Sequence, residues 1–126
     1  MDTGLLRNNY TFYEGFEGEE EIILSLESDR EVSIHIWSGY LDDILREPPL
    51  NGSEWTGFTR DYHQLEGAFS ETGDSVSVDP TEYLNDLQQY ADREFDEPET
   101  VEVFQLMVAF LNYAITQKSL VQIQVE

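Results

Sequence analysis

The chain has 126 residues, which suits one domain and is short for two. Its 27 acids against six Lys and Arg give a net charge of −21, which argues against nucleic acid phosphate and anionic lipid as direct partners. The lack of cysteine excludes disulfides, thiolate chemistry and Cys-based zinc sites, and 40% hydrophobic with 13% aromatic residues is too much for a disordered acidic tail.

The stretch Met1-Asp2-Thr3-Gly4-Leu5-Leu6-Arg7 has no basic start followed by an apolar run, so no signal peptide is expected. No apolar run nears the ~18 residues of a membrane span. A cytoplasmic protein is the expectation, and the absence of cysteine leans the same way. From residue 10 to 16, Tyr10, Phe12 and Phe16 alternate loosely with polar residues, which predicts a first strand. Gly15 and Gly18 loosen the chain before Glu19-Glu20-Glu21. Residues 22–27 read as a second strand and Ser28-Asp29 as a turn. Residues 31–37 then alternate cleanly, with Val32, Ile34 and Ile36 on one side and Ser33, His35 and Trp37 on the other, which predicts a hairpin.

Residues 38–73 are the least regular. Leu41 to Leu45 predicts one helical turn, and Pro48-Pro49 stops any helix. Short strands are predicted near Glu54 to Phe58 and Gln64 to Ser70, with a further extended piece at Val76 and Val78. Asp79-Pro80-Thr81-Glu82 is a helix start, with a capping carboxylate, proline at the first helical position and Glu82 placed for a capping box. Tyr83, Leu84, Leu87, Tyr90 and Ala91 share one face of that helix. Asp96-Glu97-Pro98-Glu99 predicts a second start, its acids matching the positive end of the helix dipole. From Val103 to Gln117 no residue is charged and two apolar stripes coexist, so this helix is expected to be the central one. Val121, Ile123 and Val125 alternate with Gln122 and Gln124 as a final strand. The fold class is α+β: one domain over residues 1–126, with an antiparallel or mixed sheet, two C-terminal helices packed on one face, and a C-terminal strand.

No motif points to catalysis, a cofactor or a metal. His35 and His63 lack the ligand spacing of a metal site, and Asp61-Tyr62-His63 has no nucleophile elbow beside it, so both read as ordinary polar histidines. Carboxylate pairs are too common here to mark acid–base chemistry. The more informative segment is 38–61, where Tyr40, Asp42, Asp43, Glu47, Glu54, Trp55 and Asp61 combine aromatic rings with carboxylates in a loop-rich stretch. Rings that fill pockets and acids that meet Lys and Arg at a rim suit a protein interface. The alternative is that Trp55 and Phe58 tuck into the core beneath a long loop.

The run from Asp79 to Leu87, continuing through Phe95-Asp96-Glu97-Pro98-Glu99-Thr100 to Phe104 and Phe110-Leu111, resembles the C-terminal part of small immunity proteins from bacterial polymorphic-toxin systems. Gly52-Ser53-Glu54-Trp55-Thr56-Gly57-Phe58 adds a similar Trp-Gly element, and together they cover about half the chain. The resemblance implies a cytosolic protein that binds and neutralises a cognate toxin, with no family site residue carried over. The charge fits a basic partner such as a nuclease toxin, although from charge alone solubility or salt adaptation is the favoured explanation. A DNA-mimic or other regulatory binding protein shares the same charge logic. A small-molecule binder or enzyme using Asp61 or His63 ranks last.

Overall fold

The computed structural model describes residues 3–48, 55–70 and 74–126. The clean alternation of residues 31–37 produces the central hairpin. Strands β2 (Glu21–Leu26) and β3 (Ser33–Trp37) pair antiparallel, with Ile22 opposite Ile36 and Leu24 opposite Ile34. β5 (Val121–Val125) lies antiparallel beside β2 and places Ile123 next to Leu24, while the three-residue β4 (Val76–Val78) edges β5. β1 (Asn9–Phe12) runs parallel to β3 at the other edge, so the sheet is mixed, with order β1-β3-β2-β5-β4. Both edges are short, which limits pairing with other chains.

Among the described residues, four helices bury the apolar face of the sheet: α1 (Ser38–Leu45), α2 (Gly57–Gln64), α3 (Pro80–Leu87) and α4 (Thr100–Thr116). α4 packs against α3 and α1, and α2 packs on α3. As its uncharged sequence requires, α4 buries Val103, Phe104, Met107, Phe110, Leu111 and Ala114, which join Ile22, Leu24, Ile34, Ile36, Val121 and Ile123 in one core. Each of these side chains larger than alanine contributes roughly 1.5–3 kcal/mol on burial. The opposite face of the sheet is polar, with Glu21, Gln122 and Gln124 half-exposed. There His35 lies under the Tyr10 ring (centroids 3.9 Å apart) and its Nδ1 is 2.7 Å from Glu21, so the sheet itself accounts for this histidine.

Several expectations change in detail. The first strand ends at Phe12, because Tyr13 and Glu14 turn back and donate to the Tyr10 carbonyl. The helical turn expected at Leu41 begins at Ser38, directly after β3, and runs two turns. No strand spans Gln64–Ser70: α2 occupies Gly57–Gln64 and a 3₁₀ turn follows at Gly67–Phe69. Of the strand expected over Glu54–Phe58, Gly57 and Phe58 are helical, and Glu54 lies outside the described residues. Helical periodicity was hard to see in this stretch because two of the residues α2 buries, Thr59 and Asp61, are polar.

The helix starts follow the capping rules only in part. At α3, the Asp79 carboxylate accepts from the Thr81 amide at 2.9 Å, as expected. At α4 the helix begins at Thr100, and the carboxylate at its approach comes from α1. Asp43 accepts from the amides of Asp96 and Glu97, each at 2.9 Å, and from the Thr100 hydroxyl at 2.7 Å.

Candidate protein-binding site

Of the seven residues expected to bind a partner, Glu54 lies outside the described residues and the other six are divided by the fold. Tyr40 is 6% exposed and packs its ring edgewise against Phe16 and Trp37. Burial, together with the charges of Glu99, Glu97 and Glu102, pushes its phenol above the usual tyrosine value. Asp61 is 3% exposed, ion-pairs with Arg60 at 3.1 Å and accepts from the Tyr83 hydroxyl. Asp61 therefore does not present its carboxylate as a surface contact. Asp43 is committed to the start of α4. Burial pushes its carboxyl up, but the Glu97 and Asp96 amides, the Thr100 hydroxyl and the Arg46 charge prevail and hold it below the usual carboxylate range. Trp55 is half-buried with its ring 5.4 Å from His63, whose Nε2 lies 2.6 Å from the Leu45 carbonyl oxygen. Asp42 and Glu47 are exposed.

Asp61 belongs to an internal polar cluster that joins α2 to α3. Asp86, 1% exposed, accepts from the Thr59 amide (2.9 Å) and hydroxyl (3.0 Å), and the Thr59 hydroxyl also meets the Tyr90 hydroxyl at 2.6 Å. Burial raises the Asp86 carboxyl above its ordinary value, against the opposing bonds from Thr59 and Gln89. Among the described residues no buried side-chain nitrogen or oxygen lacks a partner. The cluster is closed, and it holds the helices together.

What remains open lies around Asp42. The Tyr62 hydroxyl donates to the Asp42 carboxylate at 2.7 Å, and a cleft opens on each side of this bridge. Burial raises the Tyr62 phenol, helped by its own bond to the Asp42 carboxylate and by the charges of Asp42 and Glu20. The larger cleft has a volume of about 540 Å³, with Ile22, Leu41 and Phe69 as apolar walls and Glu20, Asp42 and Glu126 as carboxylates. The smaller, about 340 Å³, runs between Trp37 and the approach to α4, where Asp96 pairs with Arg46 and Glu97 adds a further carboxylate to the lining. Trp37 is held there by a parallel stack on Phe16, centroids 4.3 Å apart. Its indole lies over Gly39, where a Cβ would come within 2.4–2.5 Å of three ring carbons.

Arginines ion-pair with Asp29, Glu31, Asp61, Glu82 and Asp96. Most of the 27 acids therefore have no arginine or lysine partner among the described residues. Also among the described residues, no group of three or more His, Asp or Glu is arranged to hold a metal, and no helix is long and apolar enough to cross a membrane.

Sequence reasoning reached Asp42 and missed Trp37, Tyr62, Glu20, Glu126, Asp96 and Glu97. Trp37 ends β3 on the polar face, and the direct passage into α1 carries its ring to the cleft. Glu126 and Glu20 come together only because β5 pairs beside β2, as the reciprocal backbone bonds between Glu126 and Glu21 show. Fold and site together define a small α+β domain with an acidic, aromatic-walled surface. Comparison with family models, curated proteins and solved structures found no match.

Proposed function

We propose that the chain is an acidic protein-binding inhibitor of the immunity type, which binds and neutralises a cognate bacterial toxin in the cytoplasm. The observation that carries this reading is the pair of clefts about Asp42, which combine apolar and aromatic walls with carboxylates in a chain of net charge −21. Such a surface suits a basic protein partner, and a nuclease is the toxin class whose phosphate-holding site would be basic in this way. Charge steers the encounter, raising association from a neutral ~10⁵–10⁶ M⁻¹s⁻¹ towards ~10⁸ M⁻¹s⁻¹ at low salt. Rings and apolar walls then slow dissociation.

The test is capture from the source organism's lysate at low and high salt, followed by expression of the captured protein with and without this chain. One basic partner, bound faster at low salt and toxic unless the chain is present, is the expected result. An acidic or uncharged partner surface, or a captured protein whose toxicity the chain leaves untouched, sinks the proposal. Competition with duplex DNA for many DNA-binding proteins would favour the DNA-mimic reading instead.

A further inference from the structure

We infer that the larger cleft, with Leu65 at its lip, receives an arginine side chain presented by the basic partner. The inference rests on the protein-binding reading and names the group that this site takes. Size and lining agree with it: about 540 Å³ is within the range of sites that enclose a small organic group, the apolar walls match a methylene stem, and Glu20, Asp42 and Glu126 match a cationic head. Among the described residues no lysine or arginine lines this cleft, whereas the smaller one already contains Arg46 paired with Asp96. A guanidinium suits the larger cleft better than an ammonium, because it forks onto carboxylates and stacks on rings such as those of Tyr62 and Phe69.

Leu65 supplies a separate observation. It ends α2 in the left-handed conformation, φ +53°, where glycine or asparagine is the unstrained choice. Its bond to the Asp61 carbonyl uses only the backbone N–H, yet its apolar side chain is 66% exposed. Backbone strain and exposed leucine at one position both work against the isolated fold, and a partner that covers the side chain removes the second cost.

The test titrates the ¹⁵N-labelled chain with N-acetyl-arginine-N-methylamide and, as the uncharged isostere, N-acetyl-citrulline-N-methylamide. Saturable amide shifts confined to the surroundings of Leu41, Leu65, Phe69 and Val125, with a Kd on the order of 1 mM, are expected. The citrulline probe should bind at least about tenfold more weakly. Glu20→Gln combined with Glu126→Gln should weaken arginine binding severalfold. Leu65→Gly should weaken it about threefold while leaving Tm unchanged or higher, a combination that a purely structural Leu65 would not give. Shifts spread over the acidic surface without saturation, equal binding of citrulline, or a Leu65→Gly variant of lower Tm and unchanged Kd would each overturn the inference. The probe needs no partner, so the two proposals fail separately. Toxin neutralisation without local probe binding removes the cleft assignment alone; probe binding without neutralisation upholds the cleft and removes the inhibitor reading.

Discussion

Asp43→Ala tests whether an acid from α1 organises the start of α4. The substitution removes an acceptor for two amides and one hydroxyl at 2.7–2.9 Å, at a half-buried site. Loss of a helix-capping acceptor costs about 1 kcal/mol, and charge-assisted bonds raise the figure, so about 2 kcal/mol is expected. In a domain of this size that lowers Tm by roughly 6–10 °C and the urea midpoint by about 1 M. Removing any acid from a chain of charge −21 also relieves repulsion, so Glu47→Gln, at an exposed acid nearby, is the control. The pH dependence follows from the depressed Asp43 carboxyl. Its stabilisation is fully present above the unfolded carboxylate value of about 3.9 and is lost as pH falls through the lower folded value. The gap between wild type and Asp43→Ala should therefore narrow below about pH 4. Urea unfolding followed by Trp37 and Trp55 fluorescence at pH 7 and in acid measures both effects. A midpoint equal to that of Glu47→Gln, or a gap unchanged in acid, would refute the reasoning.

Asp86 is expected to act in the opposite sense. Its folded value is raised, so the folded chain keeps a proton that the unfolded chain has lost, and the stability due to this group falls as pH rises through that window. Asp86→Asn should remove that fall, so its urea midpoint should gain on the wild-type value as pH rises from 4 to 7, and a constant difference between the two would count against the assignment. Gly39→Ala gains about 1 kcal/mol of helix propensity but drives a methyl into the Trp37 indole. The expected outcome is a net loss of about 1 kcal/mol with an altered near-ultraviolet circular dichroism spectrum as the Phe16 stack breaks; an unchanged spectrum would contradict the packing. Added NaCl, from ~0.05 to 0.5 M, should raise Tm by screening self-repulsion, and a Tm that falls would mean that internal ion pairs outweigh it.

Most of the fold is legible from periodicity. The hairpin of residues 22–37, the Asp79-Pro80 helix start, the uncharged α4 and the final strand each carry one dominant signal, and each forms where that signal lies, except that α3 stops at Leu87, a 3₁₀ turn carries Gln88–Tyr90, and Ala91 is exposed rather than on the buried face. The middle fails for a definable reason. α2 is short, starts at a glycine and turns Thr59 and Asp61 inward, because their bonds to Asp86, Tyr83, Tyr90 and Arg60 are made by residues more than twenty positions away or by an immediate neighbour. A buried polar network looks like a loop in one dimension. The site is less legible still. Glu20, Asp42, Tyr62, Phe69 and Glu126 belong to five separate parts of the chain, and only the insertion of β5 beside β2 and the descent of α2 onto α1 assemble them.

This assembly decides how the charge should be weighed. Acidity spread over a whole surface accounts for solubility and for fast encounter, but it cannot select among basic partners, since exposed pairs contribute about 0–1 kcal/mol each and are screened by salt. Selection needs groups fixed in space. Here the Tyr62–Asp42 bond fixes one carboxylate between two clefts, the Phe16–Trp37 stack fixes an indole beside the second, and strained Leu65 stands at the mouth of the first. Changes at distant exposed acids such as Glu102 should then alter association rate and its salt dependence, whereas changes at Leu65, Tyr62 or Trp37 should alter dissociation. Under the proposed inhibitor reading, that division would assign speed to the net charge and choice of partner to a few rigid side chains around Asp42.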